Sequence, residues 1–296
     1  MEMQVTGPDS SSDSASICVI DGRLLKELSV RPSVGSYVKQ LIGRRFFIIA
    51  QAKAQANDRS KQYRLWRLWL VANPLLDVLL FVFLFGVVLK ASRGIENYPG
   101  YVIIGVVFMR MITGMVNRGS LLIRQSKNII KAFDFPRASV VLAQAVRHLI
   151  ENFIPACIAV FLSLALQFPA IHWTVVFAIP LYLLIHVFGS GLMLLTSRVT
   201  TTIPDLNAIV QVLTQAWFFL SGVMYTVDRF DDSPTIKTLM EWNPGYVFLT
   251  ALRECVLYGE VPGGATWITL AVWSLGTFVL GFLVFWQFED KYIRYV

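Results

Sequence analysis

The sequence predicts an all-α integral membrane protein with six transmembrane helices, and three observations predict it. Hydrophobic residues make up 55% of the 296 residues and charged residues 15%, with a mean hydropathy of +0.59. Soluble domains average roughly 45–50% and about 25%. Six segments are apolar over the roughly 20 residues needed to cross a bilayer. The basic residues fall mostly on one side of those segments: of 26 Lys and Arg, 19 lie on one side, five on the other and two within spans. That asymmetry places both termini in the cytoplasm and supports an even number of spans.

Residues 1–35 read as a disordered cytoplasmic tail, rich in Ser and Asp around Ser10–Ser14, with no apolar run of a signal peptide. Residues 36–64 read as an interface helix and linker, and 65–296 as the six-span domain. Within 36–56, Val38, Leu41, Ile42, Phe46 and Ile49 share a helical face, and Lys39, Arg44, Arg45 and Lys53 decorate the rest. Such a helix lies along the cytoplasmic leaflet or packs on a partner. The spans are expected at 66–89, 98–117, 139–168, 173–195, 206–225 and 266–288. The second carries Arg110, and the fifth carries Gln211 and Gln215.

Two connecting segments are too apolar to be plain loops. In 119–135, Leu121, Leu122, Ile129, Ile130 and Phe133 alternate with Arg124, Lys127 and Lys131, which predicts a short amphipathic helix at the cytoplasmic face, closed by Pro136. In 244–258, Asn243 is the cap and Pro244 the first-turn residue of a helix of 15 residues. At roughly 22 Å it is too short to cross, so it either enters the outer leaflet and returns or packs externally on its neighbours.

Ionisable side chains within spans mark structural pairs or polar pathways. Arg147 and Glu151 are spaced to pair on one helix face, and Arg110 could meet Asp77 between helices. His148, His172 and His186 have no metal-ligand spacing, and no metal site is expected. The three Cys form no CxxC, and there is no GxxxxGK[ST], GxSxG or HExxH. No catalytic constellation is present in the sequence. The net charge of +7 sits beside membrane segments rather than on a soluble domain, which argues against nucleic acid.

Three stretches carry a family likeness: NPLLDVLLFVFLFGVVL in the first span, KAFDFPRASVVLAQAVRHLIENFIP around Phe135-Pro136-Arg137, and FFLSGVMYTVDRF followed by WNPGYVFLTALREC. Together they resemble the membrane subunit of ABC-2 type exporters, specifically the polysaccharide and teichoic-acid permeases, over residues 35–296. Ser221 is followed by Gly222 where family members often carry Pro. That variant looks like the actinobacterial branch, whose members export cell-wall galactan on a lipid carrier.

The resemblance implies a homodimer served by two copies of a separate ATPase that binds ATP and Mg, with no cofactor in this chain. It implies that Leu121, Leu122, Arg124, Lys127, Ile129, Ile130 and Phe133 couple to that ATPase, and that Trp242, Asn243, Pro244, Tyr246 and Phe248 form the outer gate. The substrate would be a glycan on a polyprenyl-pyrophosphate carrier, crossing the plasma membrane. Candidates for the pyrophosphate are Arg44, Arg45, Arg59, Lys61 and Arg64. Candidates for the glycan passage are Trp66, Trp69, Phe108, Arg110, Arg147 and Glu151, with Tyr246 and Phe248 beside them. The alternatives are an ABC-2 exporter of a small molecule or drug, and a membrane-embedded glycan- or lipid-modifying enzyme.

Overall fold

The computed structural model of the chain describes residues 33–62, 72, 76, 78–88, 95–132, 135–167, 172–227 and 233–292. All regular structure among them is helical. Four helices are long and apolar enough to cross a membrane: Tyr98–Gly119, Ala138–Ala165, Trp173–Thr202 and Gly264–Gln287. These are the second, third, fourth and sixth expected spans. The first span is described only in part; its described part ends in a wide helical turn, Val82–Val88. The fifth is shorter than expected. Leu206–Leu220 has 15 residues and stops at Ser221, because Gly222 adopts φ +61 and turns the chain.

In chain order the helices are α1 (Val34–Gly43), α2 (Arg45–Gln62), α3 (Tyr98–Gly119), α4 (Leu122–Gln125), α5 (Lys127–Ala132), α6 (Ala138–Ala165), α7 (Ala178–Thr202, entered through the tight turn Trp173–Phe177), α8 (Leu206–Leu220), α9 (Pro234–Glu241), α10 (Pro244–Arg253) and α11 (Gly264–Gln287). α3 is the axis of the bundle. Asn97 caps it by accepting from the Gly100 amide at 3.0 Å, and Pro99 sits in the first turn where its missing N–H costs nothing. α6, α7, α8 and α10 all pack on α3, so it buries nearly every side chain between Tyr98 and Val116.

α7 and α11 make the closest crossing. A Cβ on Gly281 would stand 2.4 Å from the Gly191 carbonyl oxygen, so only glycine allows the approach. Small residues at such a crossing let two apolar helices gain dispersion contacts where lipid offers no hydrophobic drive. The outer face of α11 exposes Ile268, Val272, Leu275 and Val279, as a lipid-facing surface should.

The expected single interface helix is two helices broken at Arg44. Its apolar residues also divide. Tyr37, Leu41, Ile48 and Ala52 face the bundle, α2 packing on α6, whereas Val38, Ile42, Phe46 and Ile49 point outward. The helix has two apolar faces, and Tyr37 and Ile48 were missed because periodicity alone picks out only one.

Candidate functional site

The expected amphipathic helix after α3 is also two short helices, α4 and α5, joined at Ser126. The reversal out of α3 is made by Leu121 at φ 60, a left-handed conformation that is rare for a branched side chain and costs on the order of 1 kcal/mol. Its backbone N–H donates to Thr200 Oγ1 at 2.9 Å, and Arg124 Nε donates to the Thr201 carbonyl at 3.1 Å. Both bonds fasten the segment to the end of α7. Leu122, Ile123 and Ile130 are buried in a cluster with Met193, Leu194 and Phe285, while Ile129 packs partly against it. Lys127 and Lys131 point outward. Ile123 was not among the sequence candidates, yet it is the most deeply buried residue of the segment. Phe133 lies outside the described residues.

Beside this segment, Glu289 is only 2% exposed. Its carboxylate accepts from Tyr37 Oη at 2.7 Å, from the Arg137 backbone N–H at 2.8 Å and from Arg137 Nη1 at 3.2 Å. Tyr37 Oη in turn accepts from the Ala138 N–H at 3.2 Å. Burial pushes the Glu289 pKa up, against the pull of these donors, and burial beside Glu289 pushes the Tyr37 phenol well up too. The node ties α1, the start of α6 and the end of α11 together.

On the bundle side of α4, the Arg147–Glu151 pair expected from spacing is present at 2.7 Å, and Arg118 joins it at 2.6 Å. The two guanidinium groups hold opposite oxygens of one carboxylate. Arg147 Nη1 also reaches Gln55 of α2 at 3.5 Å. A cavity of about 420 Å³ opens here, lined by Gln55, Asn117, Arg118, Ser120, Gln144 and Arg147 with residues of α4.

Further along α3, Arg110, Thr113 and Asn117 form one stripe, and Gln211, Thr214 and Gln215 of α8 face it. With Phe81, Phe218 and Phe219 they line a groove of about 460 Å³. Thr214 Oγ1 donates to Asn117 Oδ1 at 3.0 Å. Arg110, Asn117, Gln211 and Gln215 are all exposed. Asn117 lines both the cavity and the groove, so the two meet at that side chain. The signal for this groove lay in Gln211 and Gln215, one turn apart on an apolar helix. Phe108 is placed otherwise: it is 1% exposed in the apolar core, away from the groove. Arg147 and Glu151 line or support the cavity rather than the groove. Asp77, Arg64, Trp66 and Trp69 lie outside the described residues. Arg59 and Lys61 continue α2, whereas Arg44 and Arg45 are exposed at the helix break.

At the opposite end of α8, Asn243 is a hub. Its Oδ1 accepts from Trp217 Nε1 at 2.7 Å and from the Gly245 N–H at 3.0 Å, capping α10 ahead of Pro244. Its Nδ2 donates to the Leu220 carbonyl at 3.2 Å and Ser221 Oγ at 3.1 Å. Trp242 is 72% exposed, Tyr246 packs beside Gly222, and Phe248 is fully buried against Phe188 at 5.5 Å. Phe248 is thus a core residue, not a side chain at an opening. Arg253 is one of the five basic residues on the side opposite the termini. It is in fact buried, donating to the Gly222, Val223 and Tyr101 carbonyls, with its guanidinium 3.4 Å over the Tyr101 ring. The turn after α8 is held from both sides by Asn243 and Arg253.

A family model described as ABC-2 type transporter matches residues 46–257. The O-antigen export system permease protein RfbA of Myxococcus xanthus is 24% identical over 240 residues, covering 80% of this chain and 90% of the relative. The polysialic acid transport protein KpsM of Escherichia coli is 20% identical over 239 residues, covering 80% and 91%. The O-antigen export system permease protein RfbA of Klebsiella pneumoniae is 26% identical over 206 residues, covering 69% and 77%. With a family match across most of its length and apolar helices of spanning length, the chain belongs to the ABC-2 type transporter membrane family.

Proposed function

We propose that this chain is the permease subunit of an ATP-driven exporter that moves a polysaccharide, carried on polyprenyl pyrophosphate, out across the plasma membrane. The observation that carries this reading is the polar groove between α3 and α8. Two otherwise apolar helices expose an arginine, an asparagine and two glutamines towards one another, with three phenylalanines alongside. Carboxamides and guanidinium groups bond sugar hydroxyls, and aromatic faces stack on sugar rings. The names of the relatives support a glycan as cargo, and the Ser221-Gly222 variant supports cell-wall galactan.

The groove is open, and α8 exposes Ile209, Val212 and Leu213 next to it. A second copy of the chain closes it into a passage, which makes the working unit a homodimer. Both termini lie in the cytoplasm, with the first and fifth spans completing six. Two copies of a separate ATPase, which bind ATP and Mg, seat on α4 and α5 through Lys127, Lys131 and Arg124. Arg44 and Arg45 draw the anionic carrier to the cytoplasmic rim. The α10 helix and the turn it follows form the outer gate, with Trp242 at the surface. Nucleotide-driven movement of the ATPases shifts the population between closed and open passages.

The test is reconstitution of the full chain with its ATPase in proteoliposomes holding a labelled lipid-linked polysaccharide. ATP-dependent appearance of glycan across the bilayer is expected. A bulky thiol reagent on Gln215→Cys should stop it while ATPase association persists. Undiminished export after complete modification would rule out the groove as the route.

A further inference from the structure

We infer that the cavity between α2, α3, α4 and α6 is a binding site for the anionic phosphate headgroup of a lipid, and that α4 senses its occupancy. The inference rests on the exporter reading for the source of the headgroup, but its chemistry stands on the cavity itself. At about 420 Å³ the cavity has the size of a small-molecule site. Arg118 and Arg147 line it, and among the described residues no carboxylate does. Glu151 bridges the two guanidinium groups through opposite oxygens of one carboxylate. Around the arginines stand the carboxamides of Gln55, Gln125 and Gln144, which can supply further donors.

Ser120 supplies an independent observation. It lines the cavity, is 5% exposed, and its Oγ has no hydrogen-bond partner. A buried hydroxyl without a partner costs on the order of 1–3 kcal/mol, and a phosphate oxygen in the cavity would accept a hydrogen bond from it. The position explains a consequence. Leu122, Gln125 and Ser126 form one wall, and they belong to the segment proposed to seat the ATPase. A headgroup bound against that wall favours one placement of α4. By reciprocity, the placement of α4 set by the ATPase alters affinity for the headgroup. Asn117 then leads from the cavity to the groove, so the headgroup and the first sugars would occupy adjoining sites.

The experiment is equilibrium binding to the full chain in phosphatidylcholine nanodiscs, using polyprenyl diphosphate and, separately, inorganic pyrophosphate. The wild type should bind a diphosphate. Gln144→Glu, nearly identical in shape, should weaken binding about tenfold or more, and Arg147→Gln similarly. Ser120→Ala should weaken it severalfold. Glu151→Gln should tighten it, because both guanidinium groups lose their internal anion; a merely structural ion pair would not give that sign. Should Glu151→Gln fail to fold, the Gln144→Glu and Ser120→Ala pair decides alone. Tighter binding of the lipid than of pyrophosphate assigns the site to a bilayer headgroup, and equal binding assigns it to a free diphosphate; both support an anion site. No binding by the wild type, or binding indifferent to these variants, overturns it. If export proceeds in the proteoliposome assay while binding is indifferent to the variants, the cavity is removed and the exporter reading stands. If binding responds as expected while no glycan moves, the anion site stands and the exporter reading falls.

Discussion

Asn243 shows how much one side chain can organise. A single carboxamide caps α10, holds Trp217 and ties the last turn of α8 to Ser221. Asn243→Ala removes the cap and leaves the Trp217 N–H and the Gly245 amide unpaired, a loss of roughly 2–4 kcal/mol. Thermal unfolding of the purified chain in detergent should shift down accordingly. Asn243→Asp keeps the acceptor and should fall between. Glu289 makes a prediction about pH. Its folded pKa is raised, so the folded state holds its proton more tightly than the unfolded chain does. The contribution is therefore fully present below the ordinary carboxylate value of about 4.3 and is lost as pH rises through the raised folded value. A stability–pH profile should decline across that window, and the decline should vanish in Glu289→Gln. Neither role was legible from the sequence in the same degree. Asn243-Pro244 announced its cap because capping is local. Glu289 gave no sign, because its partners Tyr37 and Arg137 are 252 and 152 residues away.

The elements themselves were legible where length and apolarity decide. Three spans lie within three residues of their expected ends, and the fourth, Trp173–Thr202, runs well past its expected end at 195. What hydropathy could not give was the breaks. The chain reverses at Leu121 and resets at Ser126 with no Gly or Pro beside either position, and at Arg44 only Gly43 hints at the break. The α7–α11 crossing was equally silent, because glycine within a span reads the same whether or not a backbone lies against it. Gly281→Ala should separate the two helices and cost about 1–3 kcal/mol, measured by detergent unfolding. Gly276→Ala meets nothing within 4 Å and should be neutral or slightly stabilising through helix propensity. If Gly281→Ala proves as mild as Gly276→Ala, the close crossing is not a feature of the folded protein. On the interface helix, Phe46 is 71% exposed beside the Arg45 guanidinium. Phe46→Asp should weaken binding of an α1–α2 peptide to anionic vesicles with little effect on unfolding of the full chain, since the bundle is held by the other face.

At the scale of the molecule, the groove, the cavity and the α4–α5 segment lie along one line, joined by α3. The basic amphipathic segment was visible in the sequence because apolar residues in a charged loop need a partner. The groove proposed as the passage was only half visible. Gln211, Gln215 and Arg110 advertised themselves as polar groups in spans, whereas Phe108 was assigned to the passage because an aromatic residue in a span looks the same in the core or facing a channel. Replacing Lys127 and Lys131 together by Glu should abolish co-purification of the ATPase while leaving the chain folded, as both side chains are exposed. The passage itself is tested most directly by contact with its cargo. A photo-crosslinking benzoylphenylalanine at Phe219, in the groove, should form an adduct with translocating glycan only when ATP is hydrolysed. The same group at Phe161, 71% exposed on the far side of α6, should form none. Adducts at Phe161 but not at Phe219 would mean that the glycan does not travel between α3 and α8.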